Sequence, residues 1–166
     1  MPEKTTEVTV LGAGAVGICC ALSLAERGAK VRLIDRGDPG QETSYGNAGV
    51  ICAPSVDLYR RHLQGTGQEH LVRDSVYVHA FRDASRASLS SLDCTIRREK
   101  GAQLELIGAD ALRALEPALS SDFKAAVVIH GQARALAPGR IHTVLAQKAE
   151  KLGVEVELVP VTAPNR

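Results

Sequence analysis

The sequence predicts an α/β fold that opens on a parallel βαβ unit, and three observations predict it. A short apolar, β-branched run, Val8 to Leu11, leads into the glycine-rich hexapeptide Gly12-Ala13-Gly14-Ala15-Val16-Gly17. An apolar helical stretch follows from Ala15 to Arg27, with Val16, Leu22 and Leu24 among its apolar residues and Gly28 as its stop. A second β-rich run, Lys30 to Asp35, comes directly after it. Two parallel strands need a crossover between them, and strand, glycine turn, helix, strand is its order.

Downstream, residues 36–57 are rich in Gly, Ser, Asn and Pro and read as loop. Ser75 to Phe81 alternates and reads as a strand. Asp83 to Lys100 reads as a helix with Leu89, Leu92 and Ile96 on one face and Gly101 as its stop. Leu104 to Ile107 is a strand, and Ala109 to Leu115 a short helix closed by Glu116-Pro117. Ala125 to Ile129 is a strand. Pro138 opens a helix to Leu152, since its missing N–H costs nothing in a first turn. That helix has an apolar face of Ile141, Val144, Leu145, Ala149 and Leu152. Gly153 stops it, Val154 to Val159 forms a last strand, and residues 162–166 read as a frayed tail.

Composition narrows the function classes. The chain has 166 residues, the size of one domain or slightly more, and 45% are hydrophobic. Twenty Lys and Arg against nineteen Asp and Glu give a net charge of +1, which removes the electrostatic argument for a nucleic-acid partner. Aromatics are 3% with no Trp, too few for a base-stacking platform. No apolar run approaches the ~18 residues of a membrane span, so no transmembrane segment is expected. The opening MPEKTTE runs straight into a strand, so no signal peptide is expected. A reducing cytoplasm is the expected compartment, with peripheral attachment to the inner membrane left open. Cys19, Cys20, Cys52 and Cys94 form no CxxC and have no histidine at zinc-like spacing, so no metal site is expected; Cys19 and Cys20 read as small core hydrophobes. The serines at 85–91 lack a nucleophile elbow, and Arg97-Arg98-Glu99-Lys100 reads as a solvated helix end.

The hexapeptide carries the chemistry. Gly12 permits the turn off the strand, Gly14 lets backbone approach a pyrophosphate, and Gly17 lets the helix pack closely. Ala15 and Val16 then sit in the first helical turn, where free N–H groups and the positive end of the dipole favour phosphate. Asp35 lies 18 positions after Gly17, close to the ~20 expected of the acid that binds ribose hydroxyls. Asp35 also disfavours a ligand with a 2′-phosphate, and Arg36 softens that repulsion slightly. The combination indicates a Rossmann-like nucleotide-binding unit, and at this point NAD and FAD both remain open.

The next segment, Glu42-Thr43-Ser44-Tyr45-Gly46-Asn47-Ala48-Gly49, resembles the E-T-S-x-x-N-A-G stretch of small-subunit-type FAD-dependent D-amino-acid dehydrogenases. More broadly it is similar to the D-amino-acid oxidase family, with the glycine and sarcosine oxidases. The resemblance implies FAD as cofactor and a helix beginning in this stretch. It also implies Thr43, Ser44, Asn47, Ala48 and Gly49 around the pyrophosphate and ribityl region. Leu104 to Leu119 resembles the family's substrate-domain segment ending in E-P-x-L, and Gly131 to Leu145 its return to the FAD domain. Val161 takes the place of a valine beside the adenine.

The implied architecture is a partial Rossmann-like FAD-binding βαβ with a fragment of an α+β substrate domain. Residues 1–57 open the FAD domain, 58–137 sample the substrate domain, and 138–166 begin the return. The implied activity is oxidative deamination of an amino acid by hydride transfer to flavin. Pro54-Ser55-Val56 runs abruptly into Leu58, which suggests an internal shortening near 54–58. The family's substrate-carboxylate clamp lies beyond the stretch matched here, so no catalytic residue is assigned, and the chain is expected to be partial or inactive by itself. Only three strands can join the parallel sheet, so exposed apolar faces, and with them a partner chain or self-association, are expected. The alternatives are a non-catalytic nucleotide-binding subunit completed by a partner, and an NAD-dependent dehydrogenase domain.

Overall fold

The structure is a computed structural model describing residues 6–160. The chain forms two compact units. The first comprises residues up to Gly49, Asp57–Val72, and Ala135 onward. The second comprises Val50–Val56 and Arg73–Arg134.

The first unit holds the predicted parallel sheet. Strand β1 (Glu7–Leu11), helix α1 (Ala15–Ala25) and strand β2 (Lys30–Asp35) form the βαβ opening, and the last strand, β7 (Glu155–Leu158), pairs in parallel on the far side of β2. The register aligns Val8 with Val31, and Val10 with Leu33 and then Val156, on one face. Here Val31 and Leu33 are buried, and α1 packs on β2 and against α5 (Pro138–Lys151). Ile18, Leu22, Ile141 and Leu145 complete this core.

The opposite face alternates to Glu7 beside Lys30, and Thr9 beside Arg32 and Glu155. Lys30 Nζ pairs with Glu7 at 2.9 Å, and Arg32 pairs with Glu157. Exposed pairs of this kind add little stability. Their effect is to finish the face with charge, which corrects the expectation of an apolar one. Exposed apolar surface collects instead at strand ends: Leu11 is 80% exposed and Leu158 51%. The apolar run Val8–Leu11 is not fully buried either. β1 is an edge strand among the described residues, and its Val8 and Val10 are only half-buried.

The second unit is built on β6 (Ala125–Ala135). Strands β3 (Val50–Ile51) and β5 (Leu104–Gly108) pair antiparallel with its two halves, and β4 (Val72–Phe81) neighbours it on the other side. Cys94, Val127 and Ile129 form its buried centre, with Phe81, Leu89, Ala102 and Leu104 packed around them. Helix α4 (Ala109–Leu115) lies where predicted and buries Leu112.

Several boundaries move. The loop over 36–57 is interrupted by β3 and by helix α2 (Ala53–Leu63), which runs without a break through the proposed shortening at 54–58. The predicted helix over 83–100 shrinks to a 3₁₀ turn at Ala84–Arg86 and α3 (Leu92–Glu99). The serines win locally: Asp83 accepts from the Ser85 amide, and Ser91 caps α3 by accepting from the Cys94 amide. Leu92, predicted on the apolar face, is 76% exposed, and Cys94 is buried in its stead. β6 continues past Ile129 to Ala135, with Gly131 at φ +70° within the strand. Cys19 is buried and Cys20 exposed, so only one of the pair is a core residue. Burial pushes the Cys19 thiol up to about 11, with a smaller contribution from Cys20. Residues 58–72, assigned from sequence to the second piece, cluster with the first unit. No helix among the described residues is long and apolar enough to cross a membrane.

Candidate functional site

The glycine-rich turn and its partners gather at the C-terminal end of β1 and β2, all in the first unit. Gly12 turns off β1 at φ +96° while its amide still donates to Ile34 O at 2.7 Å. Gly14 is the N-cap of α1 in extended conformation; it has no side chain to cap with, and no acid occupies the first turn. The first-turn amides are therefore without the carboxylate or hydroxyl that usually satisfies them, save one. A Cβ at Gly14 would meet nothing within 4 Å. At Gly17 it would run into the carbonyl oxygen of Gly12. The hexapeptide's middle glycine thus leaves an open approach, and its last glycine lets turn and helix close together. Val16, 77% exposed, sits at the same open end of the helix.

Asp35 lies beside this turn. Its Oδ2 accepts from the Ala13 amide at 2.5 Å, and its Oδ1 from the amides of Arg36 at 2.6 Å and Gly37 at 3.3 Å. Burial opposes ionisation, but the three amides and the Arg36 charge outweigh it and hold the carboxyl below its usual range. The acid is thus charged and locked in position. Arg36 turns away to a two-point pair with Glu42, Nε at 2.6 Å and Nη2 at 2.8 Å. Nothing in the spacing signalled that pair.

The 42–49 segment forms a run of turns with no helix, which corrects the helix implied by the family resemblance. Ser44 Oγ accepts from the Ala15 amide at 3.4 Å, which brings this segment to the start of α1. Asn47 Oδ1 accepts from the Gly49 amide at 2.7 Å. Gly49 has φ +73°, and a Cβ there would stand 2.6 Å from Ala135 O. Thr43 and Ala48 are exposed. Val161 lies outside the described residues.

Two buried histidines were not found from sequence. His142 of α5 is 3% exposed and packs behind Gly40, whose amide donates to Ala13 O at 2.8 Å. His62 of α2 is wholly buried. Its Nε2 lies 3.2 Å from Ser23 Oγ and its Nδ1 3.2 Å from Glu26 Oε1. The order Ser–His–Glu is that of a hydrolytic triad, but Ser23 sits mid-helix, where its amide is bonded into α1 and offers no oxyanion donor. The trio ties α2 to α1. Both imidazoles are held below their usual pKa, chiefly by burial; at His62 the nearby Glu26 opposes this. The only signal was a histidine at a helix position otherwise facing the core, which a sequence does not distinguish from a solvated one.

A parallel βαβ unit with an open glycine turn, an uncapped helix start and a locked acid on the second strand defines a Rossmann-like nucleotide-binding protein. The family model for FAD dependent oxidoreductases matches residues 7–166, and the chain belongs to that family, whose cofactor is FAD. A D-amino-acid oxidase of Bradyrhizobium diazoefficiens is 48% identical over 58 residues, 34% of this chain and 14% of that protein. A D-amino acid dehydrogenase of Helicobacter pylori is 49% identical over 47 residues, 28% of this chain and 12% of that protein. Among solved structures, glycine oxidase from Bacillus cereus superposes with a TM-score of 0.73 at 20% identity, covering 93% of this chain and 46% of that one. L-proline dehydrogenase from P. horikoshii gives 0.74 at 21% identity, with 98% and 46% covered. The chain spans less than half the length of these solved relatives.

Proposed function

We propose that this chain supplies the ADP-binding part of an FAD-dependent oxidoreductase of the D-amino-acid dehydrogenase or oxidase type. The observation that carries the reading is the open corner formed by Gly14, the start of α1 and Asp35. The Val16 amide binds a pyrophosphate oxygen, aided by the helix dipole, and the Ala15 amide exchanges its long bond to Ser44 Oγ for a second one. Gly14 leaves room for those oxygens, and Ser44 adds a hydroxyl beside them. Asp35, ionised and fixed by three amides, accepts from ribose hydroxyls, and Gly12 and Gly17 hold the turn that aims these groups. Thr43, Asn47, Ala48 and Gly49 shape the wall toward the ribityl chain; Val161 is assigned to the adenine by the family resemblance alone. Arg36 acts at a remove, holding Glu42 and so the start of the 42–49 loop. When bound, FAD would supply a hydride acceptor for oxidation of an amino acid at its α-carbon.

The 166 residues contain no group assigned to the substrate carboxylate. The isolated chain is therefore expected to hold flavin weakly and to show no turnover. Its visible spectrum after purification, with and without a D-amino acid under anaerobic conditions, tests this. A colourless protein stabilised alike by FAD and ADP, and less by 2′-phosphorylated ADP, is the expected result. A stoichiometric yellow protein that bleaches with substrate contradicts it.

One observation favours a second reading, a nucleotide-binding subunit completed by a partner chain. Among the described residues β1 is an edge strand with Leu11 exposed at its end, the geometry that accepts a further strand. Light scattering tests it; a strictly monomeric chain that binds ADP at full stoichiometry counts against the need for a partner.

A further inference from the structure

We propose that a groove between α5 and the 64–68 turn, within the first unit, is a second anion site that takes a phosphate-bearing small molecule of nucleotide size. It shares no residue with the glycine-rich turn. The groove has a volume of about 460 Å³, within the ordinary range for small-molecule sites. Three cations line it, Arg140, Lys148 and Lys151, and no Asp or Glu does.

Six basic residues elsewhere in the chain are ion-paired. Lys30, Arg32, Arg36, Arg61, Arg97 and Arg113 each have a carboxylate within 4.0 Å. Among the described residues, none of the three groove cations is paired in this way. Lys148 is nonetheless held in place, because its Nζ donates to His62 O at 2.8 Å and Gln64 O at 3.0 Å. An ammonium has three protons, so one remains for a ligand on a group already ordered. Lys151, three residues on, projects from the same face of the helix, near enough for both to reach one phosphate. Arg140 stands eleven residues earlier, about 16 Å along the axis.

Helix stability alone does not account for the set. Lys148 and Lys151 in the last turn complement the dipole of α5, but Arg140 lies in its first turn, where a cation is disfavoured. A ligand with negative charge at both ends of the groove explains all three. Gln68, also in the lining, has a buried Oε1 with no hydrogen-bond partner, an acceptor suited to a ligand hydroxyl or amine.

The test titrates inorganic tripolyphosphate into the 166-residue chain by calorimetry, alongside the double variant Arg140→Gln/Lys151→Gln and, separately, Gly14→Asp. Arg140 and Lys151 are exposed, so the double variant keeps the fold, which its melting curve checks. Lys148 is left alone because it also ties α5 to α2. The expected result is a binding event weakened at least tenfold in the double variant and intact in Gly14→Asp. Tripolyphosphate binding that is lost only in Gly14→Asp overturns the groove site, since the anion then sits at the glycine turn. Binding unchanged in the double variant overturns it as well. ADP binding that survives Gly14→Asp counts against the nucleotide reading of the turn and leaves the groove result standing.

Discussion

The glycine-rich turn at 12–17 and the loop at 42–49 meet at the start of α1, yet they are held in opposite ways. The turn is fixed by its own neighbours: Gly12 bonds back to β2, Gly17 closes on Gly12, and Asp35 ties Ala13 from the adjacent strand. The loop depends on residues far along the chain. Ala135 donates to Gly49 O at 2.7 Å, and Tyr45 covers Gly139 at the first turn of α5. The first is local architecture and the second is a surface borrowed from α5. The turn therefore tolerates change around it, whereas the loop inherits every disturbance of residues 135–142.

The largest expected effect breaks the turn. Gly17→Ala drives a methyl into the Gly12 carbonyl, which is backbone and cannot step aside, and should cost about 3 kcal/mol or more. A urea midpoint measured beside wild type checks it. Gly49→Ala should cost about 2 kcal/mol, from the positive φ and the approach to Ala135 O. Its signature differs: proteolysis should cut within 42–49 while the turn keeps its affinity for ADP. Equal loss of ADP binding in both variants would erase the distinction between the two regions.

Ser44→Ala should weaken ADP binding only a few-fold, on the order of 1 kcal/mol, since it removes one neutral hydrogen bond at the junction. Titration calorimetry reads this directly. The smallest expected effect is one of pH, through the histidines behind the two regions. With His62 and His142 held below their usual pKa, the unfolded chain takes up protons first. Stability is then intact above about pH 6.5 and declines as pH falls through the depressed folded values. His142→Gln should flatten the decline, and a curve unchanged in that variant would remove His142 from the account.

The same contrast explains what the sequence made legible. The βαβ opening, α4 and α5 were readable because their signals are local: a glycine motif, a stop, a proline in the first turn. The 83–100 helix was misread because Asp83 and Ser91 side chains compete for the backbone, and an apolar period does not reveal a cap that wins. The charged open face of the parallel sheet was hidden because it needs the register: Glu7 meets Lys30, and Arg32 meets Glu157, only once three distant strands align. Asp35 was visible as an acid at the right spacing. Its locking by three amides, and the diversion of Arg36 to Glu42, were not, since both depend on how residues 35–42 fold back.

The most direct test of the central claim is ADP binding by Gly14→Asp. Aspartate is a good N-cap and its charge suits the start of α1, so the variant should fold with stability within about 1 kcal/mol of wild type. The same carboxylate occupies the space meant for pyrophosphate and repels it. The expected result is a folded protein that has lost ADP and FAD binding by at least a hundredfold. A folded variant that binds either nucleotide like wild type would contradict the assignment of this corner as the cofactor site.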